Sequence, residues 1–449
     1  MLIIMELYFS RGTITIKGDI RVPNSSWDER SRTFRAMGMH YKDIIDYLKA
    51  SGMDFKDNVL DLIPCPELQS SVVLRDYQQQ ALDAWTASGR RGVIVLPTGS
   101  GKTIIGMKAI SMLNAPSLVV APTIDLMNQW RSRLEEEFKI EIGALGGGEQ
   151  EVKAVTVSTY DSAYIHAERL GNKFALIIFD EVHHLPAEGY RHIAQMFASP
   201  FRMGLTATYE REDGLHTELT RLIGGKVFEK KVNELAGEHL SPYHIEKITV
   251  GLVREEQEQY NLNQGIFSDY LRKSNLTLKS PADFQKLVMR SGRDPNARAA
   301  LLARNAARDI AFNSTSKIEK LAEILKNHRE SRVFIFTEHN KLVHRISREF
   351  LIPAITYRTG GKERSEILER FRAGVYRAVV TSKVLDEGID VPDADVGIII
   401  SGTGSERAFV QRLGRILRKR QGKKAVLYEI VSARTSEVNT AKRRTRTLR

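Results

Sequence analysis

Apolar residues recur along this chain in two rhythms, and the changes of rhythm divide it into segments. TITIKGDI (13–20) alternates apolar and polar positions as a half-buried strand does, and YKDIIDYLKASG (41–52) has the spacing of a short helix stopped by Gly52. Ile63-Pro64-Cys65-Pro66 reads as a hinge, because two prolines exclude helix and central strand alike. From about Leu74 to Val232, short runs apolar on both faces are separated by helical patterns: GVIVL (92–96), SLVVA (117–121), AVTVS (154–158) and ALIIF (175–179). Such runs predict a parallel sheet covered on both sides by helices. The same rhythm returns after about Ser331 with RVFIF (332–336), AVVTS (378–382), VGIII (396–400) and AVLYE (425–429). Residues 255–312 break it, being helical in pattern and without strand runs. The expected organisation is a small N-terminal α/β domain over 1–66 and an α/β unit over 67–232. A second α/β unit over 233–449 carries a helical insertion at about 255–312.

Composition narrows the class. A chain of 449 residues exceeds one ordinary core, and 42% hydrophobic with 27% charged residues is the balance of a globular protein. No run approaches a membrane span, and the opening MLIIMELYFSRG lacks the basic-then-apolar order of a signal peptide. The single cysteine, Cys65, excludes an internal disulfide or a cysteine zinc cluster and reads as a linker residue, which fits the reducing cytoplasm.

Charge is unevenly placed. Lys and Arg total 67 against 55 Asp and Glu, a net of +12. Arg407 to Tyr428 contains no acidic residue but holds Arg407, Arg412, Arg415, Arg418, Lys419, Arg420, Lys423 and Lys424. The insertion adds Arg272, Lys273, Lys279, Lys286, Arg290, Arg293, Arg298, Arg304 and Arg308. Basic residues gathered in this way suit a polyanion.

The sharpest local chemistry lies in GVIVLPTGSGKTIIGMKAI (92–110), an apolar strand entering a glycine-rich turn from which a helix leaves. Backbone N–H groups of Thr98, Gly99, Ser100 and Gly101 are placed to wrap phosphates, with the helix N-terminus adding a favourable dipole. Lys102 is expected to hold the terminal phosphates and the Thr103 hydroxyl to ligate Mg2+. Leu96 stands where the full phosphate-loop signature has its first glycine. FALIIFDEVHH (174–184) supplies the second half, with Asp180 placed to hold magnesium and Glu181 to orient or deprotonate the attacking water. His183 and His184 have no cysteine partners for a zinc site. In QRLGRILR (411–418), Arg415 and Arg418 share a helix face at i,i+3 with Gln411 one turn before, as arginines that neutralise γ-phosphate charge would. Glu151-Val-Lys153 has the spacing of some nuclease centres but lacks a paired upstream carboxylate, and reads as surface charge.

PTGSGKT, DEVHH, LTAT, VVTSKVLDEGIDVP (379–392) and QRLGRILR follow one another in the order of superfamily-two helicases, which the chain resembles over about residues 74–430. DEVHH, Arg211-Glu212-Asp213 directly after TAT, and the basic helical insertion are most similar to the XPB-type helicases of nucleotide excision repair and transcription initiation. The resemblance implies two RecA-like lobes that use ATP and Mg2+ to move on DNA with 3′→5′ polarity. It implies that Arg75 and Gln78 in LRDYQQQAL (74–82) contact adenine. APTIDLMNQW (121–130) and VSTYDSAY (157–164) would touch nucleic-acid phosphates, and Gly388 and Asp390 would link nucleotide to nucleic acid. Arg211, Glu212 and Asp213 are expected to project outward and act in strand separation, and residues 1–66 to sense distorted DNA. Implied partners are DNA, a repair nuclease or transcription factors, around a nucleoid-associated monomer. The alternatives are a duplex translocase or an ATP-controlled DNA clamp working through a partner such as a nuclease.

Overall fold

A computed structural model describes residues 5–18, 20–211, 213–235, 243–278, 280–382, 394–401 and 425–444. Gly388, Asp390, Gln411, Arg415, Arg418 and Glu212 lie outside the described residues. Those up to Leu235 make one compact unit and those from Tyr243 a second.

The first unit begins with strands β1 (Met5–Ser10), β2 (Thr13–Lys17), β3 (Ser26–Asp28) and β4 (Thr33–Met37), then helix α1 (Tyr41–Ala50) and β5 (Phe55–Asn58). They form a five-stranded sheet in the order β3-β4-β2-β1-β5. Period-two alternation puts Leu7, Ile14, Ile16 and Ala36 on one face, where Ile44 and Leu48 of α1 bury them.

This small sheet does not hang from a hinge. Its cluster includes Ala198, which follows the helix Arg191–Met196, and a Cβ on Gly38 would come within 3.0 Å of the Met196 carbonyl oxygen. Arg91 fastens the seam, donating from Nη2 to the Met39 carbonyl at 2.9 Å and from Nη1 to Asp43 at 3.3 Å. The proline segment that reads as a hinge is also tied down: Asp61 and Ile63 donate backbone N–H groups to the carbonyls of Asn172 and Lys173. Leu68 N–H reaches Asn114 Oδ1 at 2.7 Å. Two prolines do exclude regular structure there, but the freed polar groups find partners on the neighbouring core.

The larger sheet of this unit is built by α2 (Asp76–Ala87), β6 (Arg91–Val95), α3 (Lys102–Leu113), β7 (Ser117–Ala121), α4 (Ile124–Phe138), β8 (Gly143–Gly146) and β9 (Glu149–Glu151). It continues through β10 (Val155–Thr159), α5 (Tyr160–Leu170), β11 (Leu176–Asp180), α6 (Arg191–Met196), β12 (Phe201–Thr206), α7 (Glu218–Leu222) and β13 (Lys226–Glu229), with α8 (Val232–Leu235) at its end. Strand order is β13-β6-β12-β11-β7-β10-β8-β9, parallel except for the β8–β9 hairpin. The central strands are apolar on both faces because helices cover both. Arg202 on β12 is an exception inside this core. Fully buried, it donates to the carbonyls of Ser199, Ala194, Leu222 and Phe197, so its charge is met by helix and loop ends, with no carboxylate bonded to it among the described residues.

The second unit holds a six-stranded, all-parallel sheet in the order β14-β19-β18-β15-β17-β16. Its elements are β14 (Tyr243–Val250), α9 (Arg254–Lys273), α10 (Pro281–Arg290), α11 (Pro295–Phe312), α12 (Thr315–Asn327), β15 (Val333–Phe336) and α13 (Asn340–Phe350). Then come β16 (Ala354–Ile355), α14 (Gly361–Arg372), β17 (Ala378–Thr381), β18 (Val396–Ile399), β19 (Ala425–Ser432) and α15 (Glu437–Arg444). The fold class is therefore α/β with two parallel-sheet domains, a helical insertion and a small N-terminal α/β part. The insertion α9–α11 has a core of its own, large aromatics against alanines: Phe267 and Tyr270 meet Ala297, Ala300 and Leu287. Arg304 belongs to that packing, its guanidinium 4.5 Å from the centre of the Phe284 ring.

A buried ion pair closes this unit. Lys317 of α12 and Glu437 of α15 are fully buried, and Lys317 Nζ bonds both carboxylate oxygens at 2.7 and 2.6 Å and the Ile400 carbonyl at 2.7 Å. Glu437 also accepts the Ser432 N–H. Removing one partner strands a buried charge, so Lys317→Met is expected to cost about 3–5 kcal/mol, read as a large drop in melting temperature. Gly38→Ala forces a methyl group against backbone that cannot swing away. It is expected to destabilise the first unit by about 1–3 kcal/mol and to speed limited proteolysis within residues 11–37. An unchanged melting curve and digestion pattern for Gly38→Ala contradicts the rigid docking.

Candidate active site

Three neighbouring strands, β6, β12 and β11, end at the same edge of the first unit's large sheet, and each delivers one of the loops singled out in the sequence. The carboxyl edge of a parallel sheet is where ligands bind in open α/β folds. Between β6 and α3 the chain turns through Gly99 and Gly101, both left-handed at φ 83° and 81°. Gly101 is required twice over, since a Cβ there would also lie 2.6 Å from Gln78 Nε2. Ser100 braces the turn by donating Oγ to the Pro97 carbonyl at 2.7 Å. Lys102 opens α3 and turns back into the loop, donating Nζ to the carbonyls of Leu96 at 3.1 Å and Pro97 at 3.3 Å. Thr103 follows, partly exposed on the first turn of α3.

Gln78 is buried against this loop. Its amide oxygen accepts the Arg75 N–H at 2.9 Å, and its Nε2 donates to the Ser100 carbonyl at 2.9 Å. Tyr77 Oη donates to the same carbonyl. Arg75 is exposed at the start of α2. The element expected to face adenine thus also supports the phosphate loop from beneath.

Asp180 ends β11 and is buried. Its Oδ2 accepts from Trp130 Nε1 at 2.8 Å, its Oδ1 from the Glu181 N–H at 3.0 Å, and its backbone carbonyl from Tyr160 Oη at 3.0 Å. Burial, then the neighbouring Glu181 charge, push the carboxyl up to about 6, while Trp130 and Lys102 act the other way. Glu181 takes a left-handed backbone at φ 47°, uncommon for a non-glycine residue and a conformation found at functional turns.

The third loop is joined to both others. Leu96 N–H donates to the Thr206 carbonyl at 2.9 Å, binding the end of β6 to the end of β12. Thr206 Oγ1 donates to the Thr208 carbonyl at 2.8 Å, so the contact from His183 Nδ1 at 3.0 Å has the histidine as donor. Beyond it, Arg211 does not project outward as the sequence reading expects. Its guanidinium pairs with Asp213 through Nε at 2.9 Å and Nη2 at 2.6 Å, and Nη1 donates to the His183 carbonyl. The ion pair holds the Asp213 carboxyl down at about 2. An arginine can reach back over a tight turn where the sequence shows only a run of charges.

Among the described residues, three buried side-chain oxygens of this cluster have no hydrogen-bond partner: Thr98 Oγ1 in the glycine loop, Thr208 Oγ1 in the third loop, and Glu181 Oε2 beside Asp180, which lies 3.4 Å from His183 Nδ1. Buried polar atoms of this kind call for a ligand. Hard oxygen donors from Thr103 and Asp180 suit magnesium, and the loop amides with Lys102 suit phosphates. Lys153, considered above for nuclease chemistry, pairs with Glu141 at 2.6 Å and Glu151 at 3.1 Å. Trp130, Tyr160 and His183 have roles here that sequence reasoning missed. Each lay inside a quoted motif, but an aromatic on an apolar face reads first as core, and His183 reads from the sequence only as a candidate zinc ligand.

Family models match three stretches of the chain. These are the Xeroderma pigmentosum group B helicase damage recognition domain over residues 7–59, the Type III restriction enzyme res subunit over 71–211, and the helicase conserved C-terminal domain over 316–420. The DNA 3′-5′ translocase XPB2 of Sulfurisphaera tokodaii is 46% identical over 96% of this chain and 97% of its own length. The DNA 3′-5′ helicase XPB of Mycobacterium tuberculosis is 30% identical over 84% of this chain, which spans 63% of that protein. The general transcription and DNA repair factor IIH helicase/translocase subunit XPB of Schizosaccharomyces pombe is 27% identical over 88%, and 48% of it is spanned. Among solved structures, the Hef helicase domain of Pyrococcus furiosus shares the fold with a TM-score of 0.55 at 20% identity, over 82% of this chain and 97% of that one. Identity at this level along almost the entire length of a relative, with all three domains in order, means that the chain belongs to the XPB-type DNA helicases of superfamily two.

Proposed function

We propose that this protein is a DNA-dependent ATPase that translocates 3′→5′ and opens duplex DNA in nucleotide excision repair, with a further role in transcription initiation. The observation that carries this reading is the meeting of the glycine loop, Asp180–Glu181 and the Thr206 turn at one sheet edge, in a chain that matches a DNA 3′-5′ translocase end to end. Lys102 leaves the Leu96 and Pro97 carbonyls to take the terminal phosphates of ATP, and the loop amides receive the rest. Thr103 Oγ1 and the Asp180 carboxylate would hold Mg2+, which when bound neutralises charge on the β- and γ-phosphates. Glu181 Oε2 orients the attacking water and takes its proton. Arg75 and Gln78 serve the adenine. From the second unit, Gln411, Arg415 and Arg418 act on the γ-phosphate, and Gly388 and Asp390 join nucleotide state to DNA.

Exposed Lys273, Lys286, Arg293 and Arg298 on the insertion are suited to DNA backbone. Arg290 and Arg304 are engaged within it, Arg290 with Asp294 and Arg304 with its aromatic neighbours. The N-terminal sheet is read as a sensor of distorted DNA, rigidly attached to the ATP-binding domain. A repair nuclease or transcription factors are the proposed partners of a nucleoid-associated monomer.

Lys102→Ala removes the cation from a site that works through electrostatics. It is expected to abolish DNA-stimulated ATP hydrolysis with an unchanged melting temperature; near-normal turnover contradicts the site assignment. Arg211, Glu212 and Asp213 are read as acting on the DNA strands. Replacing all three with alanine is expected to lower unwinding of a forked duplex on the order of tenfold while DNA-stimulated ATPase falls by about threefold or less. Parallel loss of both activities would assign the cluster to the motor, through the Arg211 bond to the His183 carbonyl.

A further inference from the structure

Asp180 sits where three segments of the first unit converge. Trp130 lies midway along α4, is itself fully buried, and points its only polar atom at Asp180 Oδ2 across 2.8 Å. Tyr160 is the first residue of α5, fully buried, and bonds the carbonyl of the same aspartate at 3.0 Å. The third segment is α3, which carries Lys102 and Thr103. It passes so near the indole that a Cβ on Gly106 would stand 2.7 Å from Trp130 Cη2. One ring therefore touches the helix of the phosphate loop and the carboxylate at the end of β11 at once.

Packing alone does not account for an indole at this position. A phenyl ring also fills an apolar space between helix and sheet, whereas the N–H must be met when it is buried. Here a buried carboxylate meets it, and the bond is charge-assisted. With Oδ1 fixed by the Glu181 N–H and Oδ2 by Trp130, the carboxylate has one orientation, and its remaining lone pairs are the ones free to meet a cation. We infer that Trp130 is a positioning residue of the ATPase: its indole N–H sets the orientation in which Asp180 holds the metal of the metal–nucleotide complex. Tyr160 steadies the backbone of the same residue. Both aromatics belong to the segments 121–130 and 157–164, so a shift of either helix reaches Asp180 through a single hydrogen bond. The inference rests on reading Asp180 as the magnesium-holding carboxylate.

The test uses the full-length protein and Trp130→Phe, with a fluorescent N-methylanthraniloyl ATP as the binding probe, titrated in excess Mg2+ and again in EDTA. Trp130→Phe is expected to lose on the order of tenfold in the gain in affinity that Mg2+ confers, and to need about tenfold more Mg2+ for half-maximal ATPase. Affinity in EDTA is expected to match the wild type. Tyr160→Phe is expected to show a smaller shift in the same direction. If Trp130→Phe lowers the melting temperature, site-specific replacement of Trp130 by β-3-benzothienylalanine keeps the ring's shape without the N–H and is expected to give the same Mg2+ shift. A wild-type Mg2+ response in that isostere, or in a stably folded Trp130→Phe, overturns the inference. Asp180→Ala separates the two levels: if it keeps the Mg2+-dependent gain, the reading of Asp180 itself fails, whatever Trp130 does.

Discussion

A carboxylate shut away from water has to be held by donors that the protein supplies, and the ATP-binding domain is organised around meeting that demand at Asp180. Burial disfavours its charge, and an adjacent glutamate disfavours it further. The indole of Trp130, the Glu181 amide and the field of Lys102 act against both. Their positions follow from the parallel sheet, which brings β6, β12 and β11 to one edge and places the helices after β7 and β10 beside it. A site built in this way is stiff where phosphates and metal are proposed to bind, and catalysis by preorganised charge depends on such stiffness.

The same edge connects the glycine loop and Asp180 to the turn that is proposed to act on DNA. Leu96 and Thr206 are joined backbone to backbone, Thr206 meets His183, and His183 offers its carbonyl to Arg211. A nucleotide bound at the glycine loop would therefore have a short covalent and hydrogen-bonded route to Arg211 and, through its ion pair, to Asp213. The small N-terminal sheet shares the domain's core at Ala198 and its surface at Arg91. Under the proposed sensing role, a DNA distortion bound there would act on the body of the ATPase without passing through a flexible linker.

Much of this was legible in the residues. The apolar runs at 117–121, 154–158, 175–179 and 396–400 coincide with β7, β10, β11 and β18 to within a residue, because strands covered on both faces leave an unmistakable apolar signature. Strand β14, YHIEKITV, was not foreseen, since an edge strand alternates with charges and resembles a loop. The glycine loop and Asp180–Glu181 were legible because their chemistry demands fixed residue types at fixed spacing. The Trp130–Asp180 bond was not: its partners are 50 residues apart, and a tryptophan on a helix reads as core. The docking of the first sheet was hidden for a related reason. Gly38 and Arg91 are ordinary residues whose meaning appears only once Met196 and Met39 are beside them.

The central claim is that ATP hydrolysis at this site is driven by DNA. Its most direct test is the steady-state ATPase rate of the full-length protein with no polymer, single-stranded DNA, duplex DNA, a forked duplex and RNA, at fixed salt. The account predicts a low rate alone, strong stimulation by DNA and little by RNA. A rate indifferent to DNA, or raised more by RNA than by any DNA, would contradict it.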